Sequence, residues 1–305
     1  MYLFLPFDAL NSFSDMILLR DPRGRSIFRS LHQLPAVPGT HGKGAPRARG
    51  AGIGVTGPFL MHQLFVVRRE HGVGFVTTTG DDNPIHREGD VVPGAMTVAR
   101  ASASLEALCP QLGIRRLGFK FRAIARYDRP IRQQLAISFP SGDRLEAKVR
   151  IDQEGQDVAE GFISARIHPT VQRPNVGKWR VNKEELRRVE EFFRSLAITP
   201  ELFLRAGDEL NYAYPRGFLA SLPSGAMVRQ LSGEGGLLSS LELGFPEGPP
   251  PGITGSGCPE VSLEKAKSRP SFWKVLTWVR HGVDEHCRGF ALVFSPKATA
   301  EAAIV

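Results

Sequence analysis

Apolar and polar residues alternate along several stretches of the chain, which is the pattern of half-buried β-strands. The first stretch covers residues 117–126. Two further alternating stretches, residues 146–151 and 159–167, lie on either side of the turn-forming sequence 153–156. Two such runs joined by a short polar turn predict an antiparallel hairpin. The middle of the chain is therefore expected to form an antiparallel sheet.

Two helices are predicted next to these strands. The first covers residues 95–109, lies between two prolines and is rich in Ala and Ser. Small side chains let other backbone approach on every side, as expected of a helix wrapped by a sheet. The second covers residues 182–196, starts with the capping-box pair Asn182 and Glu185, and places its apolar residues on one face. A buried helix followed by antiparallel strands predicts an α+β fold.

Three features recur in the same order in the two halves of the chain, which indicates an internal repeat. They are the segments 92–96 and 223–227, the Leu-Gly-Phe tripeptides 117–119 and 243–245, and the hairpins 146–167 and 273–294. Their spacing drifts by only a few residues. We therefore expect two units of the same fold in tandem.

Composition divides the chain into four segments. Residues 34–58 are rich in Gly, Pro and Ala, which is typical of a linker rather than of packed structure. Residues 1–58 are accordingly predicted to be a basic, Gly/Pro-rich tail with the composition of a disordered segment. The predicted boundaries that follow are residues 59–170 for a first domain, residues 171–198 for a linker and connecting helix, and residues 199–305 for a second domain.

The net charge of +8 indicates an anionic partner or a solvated basic tail. Seven basic and three acidic side chains in residues 1–50 give a surplus of four there, half of the total. Coenzyme A phosphates, an acidic carrier protein and nucleic acid would all suit such a surface. No zinc-finger spacing or aromatic-basic motif is present, so a nucleic-acid partner is not expected.

The cysteine pattern and the apolar segments predict a cytoplasmic protein. The three cysteines lie far apart without a CxxC pair, which argues against a disulfide framework or a structural zinc site and for a reducing compartment. Polar residues interrupt the apolar N-terminal stretch, and no other segment has the roughly 18 uninterrupted apolar residues of a spanning helix. No membrane association is therefore expected.

The segment 79–86 carries the candidate chemistry. It places a carboxylate and an imidazole, Asp81 and His86, five residues apart in a turn-rich sequence. A His and an Asp that hold one water between them can supply both the base and the acid that hydration of a conjugated thioester requires. Asn83 can orient that water or fix the loop through its side-chain amide. The residues alone also fit a surface Asx-turn with a hydrogen-bonded histidine.

The sequence Gly80-Asp81-x-Asn83-Pro84-Ile85-His86 resembles the signature of MaoC-like hydratases and (R)-specific enoyl-CoA hydratases. The resemblance covers residues 60–168, with weaker similarity to residue 295. It implies a tandem hotdog fold, in which each unit is a long central helix wrapped by an antiparallel sheet. It also implies that Asp81 and His86 are catalytic and interconvert trans-2-enoyl and (R)-3-hydroxyacyl thioesters. Neither a metal nor a redox cofactor is required.

The same resemblance implies that the thioester carbonyl lies at the N-terminus of the central helix. Free backbone N–H groups at that end would stabilise the developing enolate. Gly94 allows close approach of the substrate to the backbone, and its N–H or that of Ala95 is the predicted oxyanion donor. A tight turn is the alternative role for Gly94.

The carrier of the acyl group stays open between coenzyme A and an acyl carrier protein. The helix entry Pro93-Gly94-Ala95-Met96 differs from the His-Gly-Met type of the family and is nearer to the Pro-Gly of dehydratases that act on acyl carrier proteins. This departure also leaves the preferred direction open. A row of basic residues either contacts phosphates or carrier acids or forms the solvated face of a strand. The row consists of Lys120, Arg122, Arg126, Arg129 and Arg132.

The second half lacks a histidine at the place that matches His86. The matching segment, residues 207–215, keeps only Asp208. We predict that this half has lost the chemistry and supplies part of the acyl tunnel, as in double-hotdog hydratases. The chain is expected to be a monomeric double hotdog or a homodimer. Two alternative functions stay open: a thioesterase on the same fold, and a non-catalytic acyl-binding or subunit-partner protein.

Overall fold

A computed structural model describes 211 of the 305 residues of the chain. The described residues are 16–20, 26–30, 58–108, 111–168, 181–198, 205–206, 209–210, 213–231, 236–247, 252–253, 258–269 and 271–295. Within them, none of the helices has both the length and the apolar character needed to cross a membrane.

The described residues form an α+β structure of helices and antiparallel strands. The helices are α1 (Arg69–Thr79), α2 (Pro84–Arg87), α3 (Gly94–Leu108), α4 (Lys183–Ser195) and α5 (Arg216–Gln230). The strands are β1 (Met16–Arg20), β2 (Ser26–Ser30), β3 (Phe59–Val66), β4 (Leu112–Phe121), β5 (Pro130–Ser141), β6 (Arg144–Gln153), β7 (Gln156–Ile167), β8 (Arg205–Ala206), β9 (Glu209–Leu210), β10 (Leu237–Gly244), β11 (Glu260–Arg269), β12 (Phe272–His281) and β13 (Asp284–Phe294).

Eleven of these strands form one antiparallel sheet in the order β11-β12-β13-β10-β4-β7-β6-β5-β3-β1-β2. Helix α3 is followed by β4 to β7, and helix α5 by β10 to β13. Outward from the central β4–β10 pair, the two sides read β4-β7-β6-β5 and β10-β13-β12-β11, so their strand order is the same. At the centre, Leu117 lies opposite Leu243. The predicted hairpins 146–167 and 273–294 are confirmed as β6–β7 and β12–β13.

Helix α3 is the predicted small-residue helix, and its small side chains let a second helix approach. Ala95, Ala99 and Ala101 are all buried. Helix α5 crosses at Gly217, where an added Cβ would come within 2.9 Å of the backbone oxygen of Ala99. A side chain at position 217 would therefore force the two helices apart. The contact of α3 with α5 joins the parts of the chain before and after α4.

Helix α4 confirms the predicted amphipathic helix. The Asn182 side chain accepts hydrogen bonds from the backbone N–H groups of Glu184 and Glu185, both at 3.2 Å. Phe192 is fully buried, and its ring lies 5.9 Å from that of Phe75 in α1 and 5.2 Å from that of Phe218 in α5. Helix α4 therefore packs against both α1 and α5.

The segment 79–86, predicted to be turn-rich, is helical at both ends. Residues 77–79 are the last turn of α1, and residues 84–87 form α2. Glycines and consecutive threonines have low helix propensity, so local preference opposed a helix here. Burial of Phe75 and Val76 against the rest of the protein overrides that preference. The three threonine hydroxyls donate to carbonyls one turn earlier and are thus accommodated within the helix.

The predicted match between the segments 92–96 and 223–227 places the second helix start too late. Helix α5 begins at Arg216, so that Pro223 and Gly225 lie inside the helix. A proline before a Gly-led segment usually marks a first turn, but Phe218 and Leu219 are fully buried ahead of it. Their packing extends the helix past the local signal. In the predicted tail, the structure describes only β1 and β2; the rest of residues 1–57 lies outside the described residues.

A buried acidic side chain joins the end of α3 to the start of α5. The Glu106 carboxylate accepts a hydrogen bond from the backbone N–H of Arg216 at 3.2 Å. Burial raises the pKa of Glu106 to about 7, although the Arg216 backbone and guanidinium favour the ionised form. The Arg216 guanidinium is itself buried and lies over the ring of Phe245, 5.1 Å from the ring centroid.

Candidate active site

The loop that carries Asp81 begins where α1 ends. Gly80 terminates the helix with φ 72°, a left-handed conformation that glycine adopts without strain. The next backbone N–H, that of Asp81, donates to the carbonyl of Val76 at 2.9 Å. The Asp81 side chain is fully buried, and one of its oxygens accepts from the backbone N–H of Asn83 at 3.3 Å. The carboxylate is thus removed from bulk water and held by its own loop.

Asn83 shapes the loop between the two predicted catalytic residues. Its side-chain oxygen accepts from the N–H of Ile85 at 3.3 Å and caps α2. Its amide nitrogen donates to the carbonyl of Gly236, just before β10, at 2.8 Å. Asn83 therefore links the loop to a distant part of the chain, and both the oxygen and the nitrogen of its side-chain amide are hydrogen-bonded.

His86 lies on α2 with its ring orientation fixed by one hydrogen bond. Its Nδ1 is 2.8 Å from the carbonyl oxygen of Val91. A carbonyl only accepts, so Nδ1 carries the proton, and Nε2 of the neutral ring is left as the basic atom. Burial lowers the pKa of His86 below its usual value, while Asp81 and the Val91 carbonyl partly oppose that shift. The ring is therefore neutral at pH 7.

Four of the five predicted site residues line one cleft. Asp81, Asn83, His86 and Gly94 line it together, and its empty volume is about 790 Å³ with the open mouth included. Gly94 is the first residue of α3, so the start of that helix faces the cleft. Ala95 is buried and does not line the cleft. Of the two predicted oxyanion donors, Gly94 is therefore the one at the cleft surface.

Apolar side chains from both sides of the central β4–β10 pair form most of the remaining wall of the cleft. From the first side come Val91, Val92, Phe121, Ala123, Ile124, Ala125 and Val158. From the second side come Met227, Val228, Leu231, Leu237, Leu238 and Val293. A cleft with a few convergent polar groups and otherwise apolar walls suits a ligand with a reactive polar end and a hydrocarbon chain.

Ser224 is a site residue that the sequence did not identify as one. Its hydroxyl on α5 donates to Asp81 Oδ2 at 2.7 Å, across 143 positions of sequence. The sequence of Pro223-Ser224-Gly225 indicated only a possible helix start. The Ser224 hydroxyl and the Asn83 N–H thus donate to different oxygens of the Asp81 carboxylate.

Replacing Ser224 with Ala should reduce turnover because the Asp81 carboxylate loses this donor. A hydrogen bond to a charged group contributes about 1.5–3 kcal/mol, so we expect kcat to fall about 10- to 100-fold. Ser221→Ala is the matched control, since the Ser221 hydroxyl donates to the Gly217 carbonyl within α5 and does not line the cleft. Equal kcat values for the two variants would remove Ser224 from the site.

The charge of the predicted basic row is largely balanced by nearby acidic side chains. Four of its arginines pair with acidic side chains: Arg122 with Glu160, Arg126 with Asp90, Arg129 with Glu154 and Arg132 with Asp152. All four arginine side chains are about half exposed. This is the arrangement expected of a solvated surface. Asp208, the predicted relic of a second site, lies outside the described residues.

Comparison with solved structures identifies the fold. No protein-family model and no curated protein matches the chain. A MaoC-like dehydratase is similar over 77% of this chain and 97% of its own, with a TM-score of 0.56 and 10% identity. A MaoC-like dehydratase from Phytophthora capsici is similar over 78% of this chain and 96% of its own, with a TM-score of 0.52 and 9% identity.

A third similar structure is a much longer protein, the full-length peroxisomal multifunctional enzyme type 2 from Drosophila melanogaster. It covers 77% of this chain with a TM-score of 0.51 and 12% identity, and the chain spans 48% of its length. At such identities the likeness concerns the fold. The predicted resemblance is confirmed at that level: the chain has the hotdog fold of MaoC-like dehydratases.

Proposed function

We propose that the chain is a hydratase/dehydratase that interconverts trans-2-enoyl and (R)-3-hydroxyacyl thioesters. The observation that carries the proposal is the meeting of the buried Asp81 carboxylate, the His86 imidazole and the first residue of α3 around one apolar cleft. These three groups match the needs of the reaction: a base and an acid for water, and N–H donors for an enolate oxygen. The shared fold of a MaoC-like dehydratase adds support by analogy.

In the hydration direction, Asp81 and His86 hold one water in front of C3 of the enoyl group. His86 Nε2 accepts a proton from the water as its oxygen bonds to C3, and the π electrons of the double bond move through C2 toward the thioester oxygen. The N–H of Gly94 stabilises the negative oxygen. Return of a proton to C2 from the pair completes the 3-hydroxyacyl product and regenerates both groups. Dehydration is the reverse sequence. The R configuration is proposed by analogy with the enzymes that the motif resembles.

The proposed architecture is a tandem double hotdog with one active site per chain. The same strand order on each side of the β4–β10 pair, with α3 on one side and α5 on the other, supports it. The first unit, residues 59–170, carries Asp81 and His86, and the second, residues 199–305, supplies cleft wall. Residues 171–198 connect them. One chain supplies all the walls of the cleft, so a monomer can carry the site. A homodimer is also compatible with this arrangement.

The proposed function is tested by incubating the purified chain with crotonyl-CoA, longer trans-2-enoyl-CoAs and the same acyl groups on an acyl carrier protein. We expect the enone absorbance to fall without release of free thiol and the product to be the R alcohol.

The dependence of the rate on pH gives a second prediction. Because burial lowers the pKa of His86, its ring stays neutral and basic down to about pH 6.5, so kcat/KM should stay level from pH 8 to 6.5 and fall only at lower pH.

Two results would contradict the proposal. Release of free thiol at the rate of substrate loss would identify a thioesterase. Saturable binding of these thioesters with no change in absorbance, on coenzyme A or on the carrier protein, would identify an acyl-binding protein. A preference between the two carriers would decide which partner the cleft receives.

A further inference from the structure

The C-terminal end of α1 is capped by side chains from distant helices. Its last turn contains no basic residue of its own. Arg188 of α4 donates from Nε to the carbonyl of Thr78 at 2.5 Å, and Arg229 of α5 donates from Nη1 to the carbonyl of Gly80 at 2.7 Å. The last carbonyls of a helix lack intrahelical partners and carry the negative end of its dipole, so two cations stabilise this end.

The Arg229 contact acts on the peptide group that leads directly into Asp81. In that group, the Gly80 carbonyl accepts from Arg229 and the Asp81 N–H donates to the Val76 carbonyl at 2.9 Å. A peptide group is planar, so fixing its oxygen and its hydrogen fixes the direction in which the chain enters Asp81. Ser224 holds the other end of the same residue, at the carboxylate.

Helix α5 lies so close to the loop that only glycine fits at the contact. A Cβ at Gly225 would come within 2.5 Å of the carbonyl carbon and oxygen of Gly80. Ser224, Gly225 and Arg229 therefore contact one short stretch of backbone from one helix.

We propose that Arg229, together with Arg188, is a positioning residue that sets the location of the Asp81 carboxylate relative to His86 and the water. The inference rests on the proposed function and deepens it, since it makes α5 part of the catalytic arrangement as well as a wall of the cleft. Arg229 touches neither substrate nor water; it acts through the Gly80–Asp81 peptide group.

The test compares Arg229→Met, Arg229→Lys and the control Lys265→Met. Lys265 resembles Arg229 as an exposed cation that donates to a backbone carbonyl near the end of α5, Gln230 at 3.1 Å, but it does not touch the loop. For Arg229→Met we expect kcat to fall about tenfold or more with KM changed less than about twofold, because misplacement of a reacting group affects the chemical step. Lysine at position 229 should restore part of kcat, and Lys265→Met should stay within about twofold of the parent.

Two activity results would overturn the proposal. One is a kcat for Arg229→Met within about twofold of the parent. The other is an equal loss in Lys265→Met with a matching fall in thermal midpoint, which would assign the effect to general stability of α5.

A second measurement does not depend on turnover. Hydrogen exchange at the amide of Asp81 should accelerate in Arg229→Met and not in Lys265→Met, while amides in the middle of α1 stay protected. Unchanged exchange at Asp81 overturns the positioning role whatever the activity. If exchange at Asp81 is faster in Arg229→Met but the parent turns over no thioester, the positioning role of Arg229 is supported and the proposed function is contradicted.

Discussion

Replacing Asp81 with Asn is expected to leave the fold intact and to lower the rate of enoyl-thioester hydration by about three orders of magnitude. Asparagine has the same shape and still offers an oxygen to the Ser224 hydroxyl, but it carries no charge and accepts no proton. Loss of a positioned acid–base group costs about 10²- to 10⁴-fold. His86→Ala should lower the rate by a similar factor. The double variant should be only slightly slower than either single variant, because the two side chains act on the same water.

The neighbouring acid provides the matched control for this prediction. Asp82 is exposed and pairs at the surface with Arg87 at 3.3 Å. Asp82→Asn makes the same chemical change one residue away, so its kcat should stay within about twofold, as expected for a surface ion pair of small energy. Circular dichroism and thermal midpoints would show that both variants fold. Similar kcat values for Asp81→Asn and Asp82→Asn would exclude Asp81 as a catalytic group.

Replacing Glu106 with Gln is expected to make the protein more stable at alkaline pH by about 3 kcal/mol. The pKa of this buried carboxyl is about 7 in the folded chain, against 4.5 as its ordinary value. Folding therefore favours the protonated form, and each pKa unit of difference corresponds to about 1.4 kcal/mol. The contribution of about 3 kcal/mol from the protonated carboxyl is fully present below pH 4.5, is lost progressively as the pH rises from 4.5 to 7, and is absent above pH 7. Glutamine resembles the protonated form and does not titrate.

Urea unfolding of the two proteins at several pH values between 5 and 8 would check this prediction. The free energies of unfolding should be close at pH 5 and diverge as the pH rises. Glu160→Gln is the control, because Glu160 pairs with Arg122 at the surface and its loss should change stability by less than about 1 kcal/mol. Curves for the parent and Glu106→Gln that stay parallel from pH 5 to 8 would show that Glu106 is ionised in the folded chain at no cost.

The parts of the fold that were predicted correctly are those that neighbouring residues determine. The hairpins β6–β7 and β12–β13 follow from alternation and a short turn, and α3 follows from its small residues and flanking prolines. Helix α1 was missed because its glycines and threonines disfavour a helix locally, while burial of Phe75 stabilises it from outside. The start of α5 was misplaced for the same reason: packing of Phe218 outweighs the signal of Pro223.

The candidate site shows the same division between local and distant information. Asp81, Asn83 and His86 lie within six residues, so one motif was enough to find them. Ser224 and Arg229 reach the same loop from α5. A serine and an arginine on a helix have no local mark of such a role, and only the packing of α5 on α1 reveals it. Sequence patterns thus found the candidate acid–base groups but not the side chains of α5 that hydrogen-bond to their loop.

The pairing of β4 with β10 occurs within one chain, and this has a consequence for how the protein behaves and changes. A cleft built between separate copies is lost on dilution, whereas strands of one chain meet at a high effective concentration at any protein concentration. In an assembly of identical copies, every substitution also appears on both sides of the contact. Here the contact between Gly225 of α5 and the backbone of Gly80 occurs once in the chain. A substitution in α5 therefore leaves the residues of the Gly80 loop unchanged, and a substitution in the loop leaves α5 unchanged.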